Sequence, residues 1–112
     1  GSASRDYLYV KDAARAILLA SELHDSTEPL NLGNNREITI RETAETIARI
    51  VGFAGELVWD SSRPDGQPRR RVDASRAERE LGWHATTDFE NGLHETVNWF
   101  LANRQEALTL SS

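Results

Sequence analysis

No cysteine and no methionine occur among these 112 residues. The first absence excludes a disulfide framework, a thiolate nucleophile and any cysteine-ligated zinc site, and it accords with a cytoplasmic localisation. The second predicts a processed chain or a piece of a longer one, because a natural polypeptide begins with Met; Gly1-Ser2 reads as a cloning scar. Long apolar runs are missing as well. The longest, Ala16 to Ala20, is far too short to span a bilayer, and no signal-peptide pattern opens the chain. Basic charge is in deficit: the formal charge of −5 argues against nucleic acid as a partner, since a domain that binds it is expected to be basic. No Gly-x-Gly-x-x-Gly follows any predicted strand, so these residues carry no dinucleotide fingerprint. The histidines His24, His84 and His94 are scattered, without the His-x-x-x-His spacing of a metal site, and no metal is expected. A chain this short forms one domain at most.

Against that background one stretch stands out. Trp59 to Arg71 holds two prolines and a glycine in thirteen residues, which excludes a helix interior or a central strand. Its Pro64-Asp65-Gly66 step is turn chemistry. Arg63, Arg69, Arg70 and Arg71 crowd into nine residues of an otherwise acidic chain. The planar guanidinium fork matches phosphate oxygens, so a rigid loop presenting several forks suits a pyrophosphate. Solvated or carboxylate-paired arginines account for the same composition equally well.

The rest alternates strand and helix. Asp6 to Val10 reads as a short strand and Asp12 as the N-cap of a helix over Ala13 to Leu23, with Ala13, Ala16, Ile17, Ala20 and Leu23 on one face. Pro29 to Gly33 reads as a strand. Thr39-Ile40-Arg41-Glu42 is a capping box opening a helix to about Val51, stopped by Gly52. Leu57 to Trp59 reads as a brief strand feeding the loop. Asp73 to Arg76 opens a short helix ended by Gly82, and Thr87 or Asp88 caps a last helix burying Phe89, Leu93, Val97, Phe100 and Leu101. Leu108 to Ser112 is expected to fray.

Catalytic patterns are sparse. Tyr7 and Lys11 have the Tyr-x-x-x-Lys spacing of short-chain dehydrogenases, but that chemistry needs both side chains on one helix face. On a strand the two lie roughly 13 Å apart, so the match is read as coincidence. Asp60 and Asp65 form a conceivable acid/base pair; the turn already explains Asp65, and Asp60 reads as the end of a strand.

Taken in order, Arg5-Asp6-Tyr7-Leu8-Tyr9-Val10-Lys11-Asp12-Ala13-Ala14, Asn31-Leu32-Gly33, Ile38-Thr39-Ile40-Arg41-Glu42, Arg63-Pro64-Asp65-Gly66-Gln67-Pro68-Arg69-Arg70 and Leu81-Gly82-Trp83 resemble the C-terminal third of the NAD-dependent epimerase/dehydratase family, the extended short-chain dehydrogenases. The loop is most similar to the Lys/Arg-Pro-Asp-Gly-Thr-Pro-Arg-Lys loop of its GDP-L-fucose synthase branch. The family usually has His at Tyr9, Asp at Lys11 and Thr at Gln67; none of these departures removes a phosphate-binding group.

The resemblance implies an α/β fold of about four helices with a few short strands, the C-terminal substrate-binding part of such an enzyme without its Rossmann core. It implies a domain over residues 1–104, of which 12–33 pack on that absent core, and a frayed tail over 105–112. It implies a nucleotide-diphosphate-sugar partner bound through Arg5, Arg63, Asp65, Arg69 and Arg70. Catalytic Ser/Thr, Tyr and Lys, and NAD or NADP, belong to the upstream lobe, so this segment holds no catalytic residue and no cofactor of its own. Without that lobe the chain is expected to self-associate, and homodimers are common among the relatives. A different sugar-nucleotide epimerase or a 4,6-dehydratase fits the same motifs, and a non-catalytic sensor or interaction module is the reading from another class.

Overall fold

A computed structural model describes residues 1–64, 66–69 and 72–110. Their architecture is a mostly helical α/β domain with one small open sheet. The strand β1 (Ser4–Arg5) pairs antiparallel with β2 (Ile38–Thr39), Ser4 opposite Thr39 and Arg5 opposite Ile38. The helices are α1 (Val10–Leu23), α2 (Ile40–Val51), α3 (Ser75–Leu81), α4 (Phe89–Ala102) and α5 (Arg104–Leu110).

Local chemistry fixes the ends of α2, α3 and α4 where the sequence places them. Thr39 Oγ1 accepts the Glu42 amide at 3.0 Å, the threonine half of the capping box. At the other end Gly52 takes the left-handed conformation at φ 70°, which costs a residue without a Cβ least. Gly82 closes α3 in the same way, and the Asp88 carboxylate caps α4 by accepting the Asn91 amide.

Four local expectations are corrected. The segment 6–9 is not a strand, and α1 begins at Val10 with Tyr9 as its N-cap, so Asp12 lies inside the first turn. Pro29 to Gly33 and Leu57 to Trp59 are extended without ladder partners. Strand preference expresses a fit to a pleated, half-buried neighbour, and none of the described strands runs beside these three segments. The fourth concerns the tail, where α5 carries the chain helically to Leu110.

The core is small. Ala16 of α1 and Ala77 and Leu81 of α3 enclose Trp83, which is 0% exposed. Leu8, Leu19, Leu30 and Leu32 pack around that cluster. A second contact sets the Tyr7 ring 5.5 Å from that of Phe89 at the start of α4. The faces expected to be buried are so only in part: Ile17 and Leu23 of α1 and Phe100 and Leu101 of α4 lie open, as do Val10, Leu18 and Trp99 beside them, while Ala16 is buried and Phe89, Leu93 and Val97 are half-buried. The radius of gyration of 16.6 Å exceeds the roughly 13 Å of a closed domain this size. The shape is that of a lobe.

Candidate functional site

The arginine loop is anchored on β1. Ser4 donates its amide to the Pro68 carbonyl at 2.9 Å, and Ser4 and Arg69 form a parallel bridge. Across the same junction Arg5 Nη1 donates to the carbonyls of Ser4 at 2.7 Å and Gln67 at 2.8 Å. Two of the predicted phosphate ligands, Arg5 and Arg69, are thus brought to one backbone junction from positions 64 residues apart. Both are engaged internally. Arg69 Nε donates to Glu37 Oε1 at 2.5 Å, and this bond, followed by the attraction of the carboxylate charge, raises the guanidinium above its already high ordinary value. Arg5 is held by carbonyls.

Arg63 sits apart on the loop, its side chain 84% exposed and its Nε 3.2 Å from Asp60 Oδ2. The Asp60 carboxylate is held below its ordinary range by the Ser62 hydroxyl and then the Ser62 amide, so it braces a turn. It does not end a strand. Asp65 and Arg70, the other two predicted ligands, lie outside the described residues, as does Arg71. Tyr7 stands in extended chain and Lys11 in the first turn of α1, so the Tyr-x-x-x-Lys spacing does not place both on one helix face.

Sequence reasoning missed three carboxylates that organise this end of the molecule. Asp6 accepts the amides of Asn34 at 2.8 Å and Asn35 at 3.2 Å. Its approach explains Gly33, where a Cβ would stand 2.9 Å from Asp6 Oδ2 and 3.0 Å from Val72 Cβ. Glu37 gathers Arg69 and the Ser4 hydroxyl. Asp12 is buried and accepts from Thr86 Oγ1 and the Thr87 amide, both at 3.1 Å. Each partner lies at least 28 residues away, and no local pattern signals such pairings.

Concavities of the described residues lie away from the loop. Two are about 350 Å³ each: one lies between Gly33–Asn35 and the start of α3 beside Trp83, the other between Tyr7–Val10 and the first turns of α4. The third, about 300 Å³, separates α2 from α4 under an Arg49–Glu90 ion pair. Arg5, Arg63 and Arg69 line none of these three. At the junction Arg5 is half-buried and the Arg69 side chain is 64% exposed.

The described residues do not fit NAD(P). The strand that leads into a helix, β2, runs antiparallel to its partner and joins α2 without a glycine turn, whereas a dinucleotide pyrophosphate needs a parallel strand opening through glycines onto a helix N-terminus. Among the described residues no group of His, Asp or Glu is placed to hold a metal ion, and no helix is long and apolar enough to cross a membrane.

Known proteins resemble this chain over most of its length. The family model described as GDP-mannose 4,6 dehydratase matches residues 1–96. A probable GDP-L-fucose synthase of Oryza sativa is 42% identical over 103 residues, covering 92% of this chain and 31% of its own. The solved structure of a GDP-L-fucose synthetase from Naegleria fowleri bound to NADP superposes with a TM-score of 0.86 at 34% identity, over 94% of this chain and 33% of its own. That of a UDP-glucose 4-epimerase from Thermotoga maritima with UDP-glucose gives 0.83 at 34% identity, over 92% and 33%. The chain therefore spans about a third of the length of the relatives it matches. It belongs to the GDP-mannose 4,6 dehydratase family, within the extended short-chain dehydrogenase superfamily of NAD(P)-dependent sugar-nucleotide epimerases, dehydratases and reductases.

Proposed function

We propose that this chain is the substrate-binding lobe of a GDP-L-fucose synthase-like enzyme, holding the diphosphate of a GDP sugar while an upstream lobe supplies NAD(P) and the catalytic residues. The observation that supports the reading is the junction of β1 with the arginine loop, which bridges Arg69 to Ser4 and ties the Arg5 guanidinium to the Gln67 carbonyl. Arg63, Asp65 and Arg70 complete the proposed substrate contacts. Charge-assisted hydrogen bonds to a pyrophosphate contribute roughly 1.5–3 kcal/mol each before the entropy of binding is subtracted. Two or three of them give useful affinity only inside a closed site.

The test is a graft. This chain, replacing the matching third of a GDP-L-fucose synthase, is expected to restore conversion of GDP-4-keto-6-deoxymannose to GDP-fucose. A graft that instead epimerises UDP-glucose when supplied with oxidised NAD, which can accept the hydride and return it, would favour a sister epimerase, a reading supported by the likeness to the Thermotoga enzyme. The chain alone should bind GDP sugars weakly or undetectably; micromolar affinity by calorimetry would contradict the missing wall.

The same reading assigns a cover to residues 12–33. With Ile17, Leu18 and Leu23 largely exposed, a bare stripe of this kind favours association. The chain is expected to self-associate, and a compact monomer in light scattering at high concentration would count against the assignment.

A further inference from the structure

We infer that Glu37 is a positioning residue for the phosphate site, gripping Arg69 by its Nε so that the two terminal nitrogens of the guanidinium are presented outward as a preformed fork. This rests on the proposed reading of Arg69 as a diphosphate ligand and deepens it.

The geometry distinguishes holding from blocking. A carboxylate that blocked the group would occupy its terminal edge, between the two Nη nitrogens. Glu37 meets the side of the group instead, through Nε at 2.5 Å. Of the five guanidinium donors this uses one, and the four on the terminal nitrogens are the ones that match phosphate oxygens. The grip is also anchored in the right place. Glu37 directly precedes β2, whose register against β1 is fixed, and its Oε1 lies 3.4 Å from the hydroxyl of Ser4, the residue bridged to Arg69. The Glu37 side chain is 22% exposed and that of Arg69 is 64% exposed. The holder is therefore seated in the lobe and the held group projects from it. Fixing a long side chain before the ligand arrives reduces the ordering that binding must supply.

The experiment compares variants of equal charge. Inorganic pyrophosphate is titrated, into the millimolar range that a lone lobe requires, into the 112-residue chain and into its E37Q, E37A and R69A forms, followed by the Nε–Hε signal of Arg69, which R69K identifies by its loss. E37Q and E37A remove the same charge, but only Gln keeps an oxygen in reach of Nε. E37Q is expected to bind pyrophosphate about five- to tenfold more tightly than E37A, one charge-assisted bond's worth of positioning. That difference should vanish when Arg69 is also alanine. In the unmutated chain the Nε–Hε proton should exchange slowly, and in E37A rapidly.

Equal binding by E37Q and E37A, with R69A still weakening it, would overturn the inference and leave the phosphate reading standing. A difference between E37Q and E37A that persists without Arg69 would also overturn it, since Glu37 would then act on the loop as a whole. Binding unaffected by R69A would remove the phosphate role of Arg69 and the inference together.

Discussion

Trp83→Ala is expected to remove about 3–5 kcal/mol of stability, a large part of the 5–15 kcal/mol typical of a whole domain. Trp83 is the largest fully buried side chain, and its neighbours in the core are Ala16, Ala77 and Leu81. Alanines held on helices cannot reach into the space an indole leaves, so the cavity stays open and its cost is close to the upper limit for such changes. The ring also has a polar tie, Nε1 donating to the Asp12 carbonyl at 3.0 Å. The open form of this lobe leaves no second core to compensate. Urea unfolding followed by circular dichroism should show the variant largely unfolded in water; a loss below about 1 kcal/mol would mean that the packing around residue 83 is not what holds α1 to α3.

Asp12→Ala should cost about 2–4 kcal/mol, and the cost should depend on pH. The carboxylate joins the first turn of α1 to residues 86 and 87 ahead of α4, with Arg15 Nη2 3.8 Å away. Alanine leaves the Thr87 amide without that acceptor. Burial by itself would push the Asp12 carboxyl up, but hydrogen bonds from the Thr87 and Thr86 amides and hydroxyls outweigh it, and the group is held below its ordinary value of 3.8. The sign follows from linkage. The unfolded chain takes up the proton first as acid is added, so this contribution is complete above the unfolded value and is lost as the pH falls through the lowered folded one. Asp12→Asn should be less stable than the parent at pH 7 and lose less between pH 5 and pH 3. Acid limbs of equal slope in the two proteins would show that another carboxylate governs the transition.

Much of the fold was legible because its signals are local. Thr39, Gly52, Gly82 and Asp88 each act within a few residues of a helix end, and both ends of α2, the end of α3 and the start of α4 fall accordingly. The start of α1 was not legible. Tyr7, Leu8 and Tyr9 have strand preferences, yet the ladder that would use them is not beside them among the described residues. Asp12 looked like an N-cap because its true partners stand 74 and 75 residues further on. The site was half legible. A loop rich in Pro, Gly and Arg announces itself, and the family resemblance pointed to Arg5 as its companion, but nothing beside Glu37 in the sequence marks it as the residue that holds Arg69.

The two-residue strand β1 has a consequence for the order in which this chain organises itself. It joins segments 34 and 65 residues further along, while the helices close over four. Bringing such distant segments together costs chain entropy before any contact repays it. The turns of each helix are therefore expected to close early in folding, and the junction of β1 with the arginine loop only once distant segments have met.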